Sequence, residues 1–256
     1  MMQIWMTIFK ILATNWRRNV VVFLVGWMLV LSSLALIGTW NNPTHRAVLC
    51  MAWGLILLWI GGCGFTMWYW RDFWCRLASH WHWHWMLKFI LGSTFLILVE
   101  EIVTTLMTNC APLFGVPIGQ AYITASTNYL DVVMYHSVVV IAPMFVGWAV
   151  MLWRWKFSPF AVFILFGLTG LLAETISFGL QNLGSFAFWI FVYGLMVWLP
   201  AHWVPEDRVA HEPRWWVYPL AVIVPFFFVP LAAVFAPWIW LTPKHPTAHF
   251  PPIGGL

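Results

Sequence analysis

The chain is 256 residues long, 62% hydrophobic and only 8% charged, with a mean hydropathy of +0.84. Soluble domains carry about 25% charged residues, so this composition excludes a water-soluble globule and points to a bilayer. Twelve Lys and Arg against eight Asp and Glu give a formal charge of +4; no basic run exceeds the pair Arg17-Arg18, which sets nucleic acid aside as a partner, because binding it needs a clustered basic face.

Residues 1–18 read as an amphipathic interfacial helix. Gln3, Thr7, Lys10, Thr14 and Arg17 recur at helical spacing and draw a narrow polar stripe on a surface otherwise carrying Trp5, Phe9 and Trp16. The alternative is a cytoplasmic extension of the first span. The segment lacks the small-residue cleavage site that would follow the apolar core of a signal peptide.

Residues 19–242 read as one membrane domain. Apolar stretches near the ~20 residues needed to cross about 30 Å of hydrocarbon occur at 19–38, 47–68, 87–108, 129–152, 158–179, 184–204 and 216–240. They predict an all-α integral membrane protein, a seven-transmembrane-helix bundle, since the alternation of a membrane barrel is absent. Ten of the twelve basic residues flank the connections on one side, and only Arg46 and Lys244 fall on the other. The positive-inside rule then puts the N-terminus in the cytoplasm and the C-terminus outside, in a bacterial or archaeal cytoplasmic membrane. Many of the 22 Trp, among them Trp68, Trp70, Trp81 and Trp83, sit at span ends as an aromatic belt. The last span carries Pro219, Pro225, Pro230 and Pro237 and is expected to kink, leaving carbonyls that need new partners. Residues 243–256 read as a Pro-rich outer tail.

Of the eight carboxylates, four fall inside predicted spans: Glu100 and Glu101 in the third, Asp131 in the fourth and Glu174 in the fifth. Each costs about 2.5–3.5 kcal/mol at mid-bilayer on insertion scales, so such groups are candidates for function and face the bundle interior. By helical rise Glu100 and Glu101 lie roughly 10–12 Å below the outer end of their span, and Asp131 and Glu174 within about a turn of the outer ends of theirs. Thr94, Glu101, Thr104, Thr105 and Thr108 share one stripe of the third span, with Glu100 at its edge. In the fifth, Gly167, Gly170, Glu174, Ser177 and Gln181 form a stripe of small and polar residues that lets another helix approach closely. His136 is the one histidine deep in a span; it either joins the acids or hydrogen-bonds a neighbouring helix. The expected site is therefore Glu100, Glu101, Asp131 and Glu174, with His136 beside them. An outer connection of about 19 residues after Asn109, rich in Gly and Pro, is expected to cover the acids as a lid, to dip in as a re-entrant segment, or to lie as a surface loop.

On the inner side, His80, His82 and His84 alternate with Trp81 and Trp83. That spacing suits a transition metal, although contact with lipid headgroups is the favoured account. The separated His boxes of membrane desaturases and the Glu-x-x-His pairs of di-iron bundles are absent. Cys50 and Cys110 are expected near each other on the outer side, within reach of a disulfide. The last span has no Lys, which excludes a retinal protein, and the His-x-x-x-His pair of the ceramidase and adiponectin-receptor hydrolases is absent from it. No motif names a cofactor, a substrate or a reaction.

Two functions are expected from these features. The first is a carboxylate-lined site in the outer half that binds or acts on an amphiphile, a lipid, isoprenoid or quinone, or conducts protons or cations. The alternative is a non-catalytic subunit that packs through Trp- and Phe-rich surfaces against partner membrane subunits in a larger complex. A transporter is a third reading, without a detectable inverted repeat.

Overall fold

The computed structural model describes residues 15–238, and within them every regular element is helical. The chain runs through α1 (Trp16–Gly38) and α2 (Pro43–Tyr69), whose middle, Ile56–Cys63, widens into a π-helix. A short α3 (Arg71–Ser79) leads to α4 (Trp85–Asn109). After a long connection come α5 (Tyr129–Tyr135), α6 (Ser137–Arg154) and α7 (Pro159–Phe178). A three-ten segment, Leu180–Ser185, turns the chain into α8 (Phe186–Ala201). The last element, α9, is α-helical over Val217–Ile223, three-ten over Val224–Leu231 and α-helical again over Ala232–Phe235.

Several starts are written locally. The Asn42 and Ser158 side chains accept from the backbone N–H of His45 and Ala161, each just before a proline at the first helical position. The prolines of α9 act as expected: the helix changes to three-ten geometry around Pro225, and the Thr169 hydroxyl of α7 donates to the Val222 carbonyl at 3.0 Å.

Six of these helices, α1, α2, α4, α6, α7 and the stretch Val217–Val234 of α9, are long and apolar enough to cross a membrane; α8, at 16 residues, is shorter. The chain is thus a helical membrane protein. The central helices are α4, α6, α7 and α8, while α1 is peripheral: 56% of the apolar window is buried in α4 and α6 against 11% in α1. Helix α8 is apolar all round, which fits its burial on every side. Its closest neighbour is α7, because a side chain at Gly167 would collide with the Ile190 backbone.

Three expectations need correction or lie elsewhere. The fourth predicted span is not one helix from residue 129: it breaks at His136, whose backbone (φ −135°, ψ −111°) leaves the helical region while its ring bonds the Ser137 hydroxyl at 3.1 Å. Such local side-chain bonding competes with the helix ladder, and it leaves Asp131 on the separate short α5. Of the expected interfacial helix, Trp16, Arg17 and Arg18 form the first turn of α1, and residues 1–14 lie outside the described residues, as does the tail 243–256. Helix α3 was not expected; it tucks Ala78 inward and turns Asp72 and Arg76 outward, with Asp72 paired to Arg71 at 2.9 Å.

Candidate functional site

Both glutamates of α4 point inward. Glu100 is 5% exposed and Glu101 4%, amid buried Thr104, Thr105 and Thr108. The Thr104 hydroxyl sits one turn beyond Glu101 and reaches back to its Oε2 at 2.9 Å, so the predicted hydroxyl stripe supplies a hydrogen bond to the carboxyl group.

The connection after α4 reaches down to the same carboxyl. It opens with a three-ten turn, Ala111–Phe114, and packs Val116 and Ala121 onto Ala47 and Met51 of α2. Residues Tyr122, Thr124, Ala125 and Ser126 are buried. Thr124 donates to Glu101 Oε2 at 3.1 Å, and the Ile123 N–H donates to the Thr108 hydroxyl at 3.3 Å. Asn109 ties the return of the loop by donating to the Thr127 carbonyl at 2.8 Å. The segment is thus more than a surface loop: Glu101 lies two turns below the end of α4, and Thr124 reaches it there and lines the cavity. Ser137, the first residue of α6, lines the same cavity as Glu101, and its hydroxyl is hydrogen-bonded to His136 Nδ1 at 3.1 Å.

Across the bundle, the small-residue stripe of α7 works as its spacing predicts. A Cβ at Gly170 would overlap the Tyr193 ring of α8, so glycine lets that ring lie flat against α7. The Tyr193 hydroxyl then donates to Glu174 Oε1. Asn182, in the turn beyond α7, donates to the Glu174 carbonyl at 3.3 Å and accepts from Trp189 Nε1–H at 3.2 Å.

These groups line one cavity of about 590 Å³ enclosed by α2, α4, α6, α7 and α8. Glu100, Glu101, Glu174, His136 and Tyr193 form its polar part, and Leu55, Met144, Phe166, Val192 and Met196 line its apolar wall. Glu100 is within electrostatic reach of both Glu101 and Glu174. Among the described residues no Lys or Arg lines the cavity. The π-helical stretch of α2 borders this wall, and its buried Trp59 donates an indole N–H to the Val192 carbonyl at 3.1 Å.

Four of the five expected site residues therefore meet. Asp131 does not: it is half-buried on α5, accepts from Ser126 at 3.3 Å and lies outside the cavity lining, because the break at His136 separates α5 from α6. His80, His82 and His84 are exposed. His80 bonds the Arg76 carbonyl at 2.7 Å through Nδ1, and His84 caps α4 by accepting from the Met86 N–H. Among the described residues no group of three His, Cys, Asp or Glu is arranged to hold a metal ion. The four cysteines, Cys50 and Cys110 included, are free thiols.

Sequence reasoning missed Tyr193, Thr124 and Ser137 as members of this constellation. Tyr193 had a signal, being the one tyrosine in an otherwise apolar helix; a buried tyrosine hydroxyl needs a partner. Comparison of the chain with protein families, curated proteins and solved structures finds no match.

Proposed function

We propose that this chain is a seven-span membrane protein whose cavity binds or acts on an amphiphile, a lipid, isoprenoid or quinone, with the polar head against the glutamates and the body along the apolar wall. The observation that carries this is a 590 Å³ cavity among the helices whose lining combines three carboxyl groups with aliphatic and aromatic side chains. That volume falls within the range of about 300–1,000 Å³ typical of small-molecule sites, which are mostly apolar with a few placed polar groups.

A seventh crossing by α8 is supported by what touches its two ends. Its start follows directly from the far end of α7 through Leu180–Ser185. Its exit leads to His211, whose backbone pairs with Arg154 and Lys156 at the other end of the bundle, and to Arg208, which donates to the Leu152 and Trp155 carbonyls. Sixteen helical residues rise about 24 Å, and the flanking turns supply the remainder. The ten-to-two distribution of basic residues supports an N-terminus in the cytoplasm and a C-terminus outside. On this reading the carboxyl cluster sits in the outer half.

The test is native mass spectrometry of the full chain purified in mild detergent. The expected result is a folded protein carrying a small amphiphilic molecule that Glu174→Gln fails to retain. A chain found only within a stable assembly of other membrane subunits, with nothing in the cavity, would favour the subunit role instead.

A further inference from the structure

We propose that the head of the bound amphiphile is a cationic amine and that Glu100 receives it. This rests on the amphiphile reading above and narrows it to one ligand class.

The argument is a count of donors and acceptors around the cavity. Thr104 and Thr124 both direct their hydroxyl hydrogens to Glu101 Oε2. Tyr193 directs its own to Glu174. Trp189 Nε1–H is engaged by Asn182 Oδ1, and Asn182 Nδ2 by the carbonyls of Glu174 and Gly179. His136 Nδ1 is engaged with the Ser137 hydroxyl. Apart from those of Ser177 and Gln181, which are exposed, the hydrogen-bond donors of the polar wall are thus engaged with protein acceptors, among them the Glu101 and Glu174 carboxyl oxygens. Glu100 differs from its neighbours. It is 5% exposed and lines the cavity, yet its carboxyl accepts no hydrogen bond from any described residue. A buried polar group without a partner is costly, so this carboxyl faces the cavity as an acceptor waiting for a donor.

The chemistry of that donor follows. A phosphate, sulfate or carboxylate head would bring only acceptors and a like charge into a wall without Lys or Arg. A quinone or ester carbonyl placed at Glu100 would find the neighbouring Thr104, Thr124 and Tyr193 hydroxyls already engaged. An ammonium offers three donors and no acceptor, and its charge offsets the mutual repulsion of Glu100, Glu101 and Glu174. Its pairing with the 5%-exposed Glu100 is charge-assisted and so stronger than a neutral hydrogen bond.

Three probes of equal chain length separate the possibilities: dodecylamine, dodecanol and dodecanoate, each titrated into the full chain in a neutral maltoside detergent and read by native mass spectrometry and thermal shift. Dodecylamine should bind about tenfold or more tighter than dodecanol, with dodecanoate weakest. Glu100→Gln, which keeps shape, should erase the amine preference while leaving dodecanol binding as it was. Leu55→Trp, which fills the apolar wall, should weaken amine and alcohol alike. Equal affinity for the three heads, or an amine preference that survives in Glu100→Gln, overturns the amine assignment and leaves the amphiphile reading standing. Failure of all three probes to bind overturns the amphiphile reading itself. Should Glu100→Gln not fold, the ranking of the probes on the wild-type chain decides.

Discussion

Tyr193 reaches Glu174 only because residue 170 has no side chain, so the clearest consequences at the scale of the residue concern that triplet. In Gly170→Ala the new methyl overlaps the Tyr193 ring, and either the ring or the α7–α8 contact must shift. Overpacking of this kind costs about 1–3 kcal/mol. Thermal unfolding in detergent should show the loss, and Glu174 should lose its tyrosine bond, so ligand retention falls with stability. Glu174→Gln should separate the two effects. The amide keeps the size and can still accept from Tyr193, and the predicted outcome is weakened ligand retention with an unfolding midpoint close to wild type. A fall in stability as large as that of Gly170→Ala would mean that Glu174 fastens the helices rather than serving the cavity.

At the scale of the element, two irregular pieces shape the cavity. The first is the π-helical stretch of α2, which turns Trp59 so that its indole N–H meets the Val192 carbonyl in the centre of α8. Trp59→Phe removes that side-chain donor while the carbonyl keeps its helical N–H partner, and should cost about 0.5–1.5 kcal/mol for the hydrogen bond alone, before the lost packing, measurable as a lower unfolding midpoint. The second is the connection after α4, held against the bundle by Thr124 on Glu101 and by Asn109 on Thr127. Thr124→Val keeps the shape and removes the bond to Glu101. With the four native cysteines replaced by alanine, a cysteine placed at residue 123 should react slowly with a water-soluble thiol reagent. It should react several-fold faster when Thr124→Val is added. Equal rates would show that packing against Ala47 and Met51, rather than the glutamate, keeps the loop in place.

At the scale of the whole molecule, each end of the bundle is stitched by contacts between distant parts of the chain. Trp238 donates to the Met134 carbonyl and Gln120 to the Thr44 hydroxyl at the end where α4 finishes. The Trp155–His211 pairing and the Trp81–Trp203 ring contact close the opposite end. The seven crossings proposed above and the basic asymmetry together predict termini on opposite faces. Tags at each end of the chain, tested by protease access in sealed vesicles, should show the N-terminal tag protected and the C-terminal one cleaved from outside. Two tags on one face would reduce the number of crossings to six and make α8 a buried half-span.

What the sequence determined by itself is whatever depends on one segment at a time. Hydropathy over about 20 residues marks the apolar helices, helical rise sets the depth of Glu100, Glu101 and Glu174, and helical period puts the hydroxyl and small-residue stripes on one side of α4 and α7. The prolines of α9 announced its change of geometry for the same local reason. Tertiary structure alone decided which stripes meet, because the rotation of a helix and its choice of neighbour come from packing between segments far apart in the chain. So Tyr193 arrived at Glu174 from 19 positions away and Thr124 at Glu101 from 23, neither with a spacing to announce it. Asp131 shows the converse. Depth and a shared helix face placed it with the other acids, but the backbone breaks at His136, and that break removed it from the cavity that Glu100, Glu101 and Glu174 share.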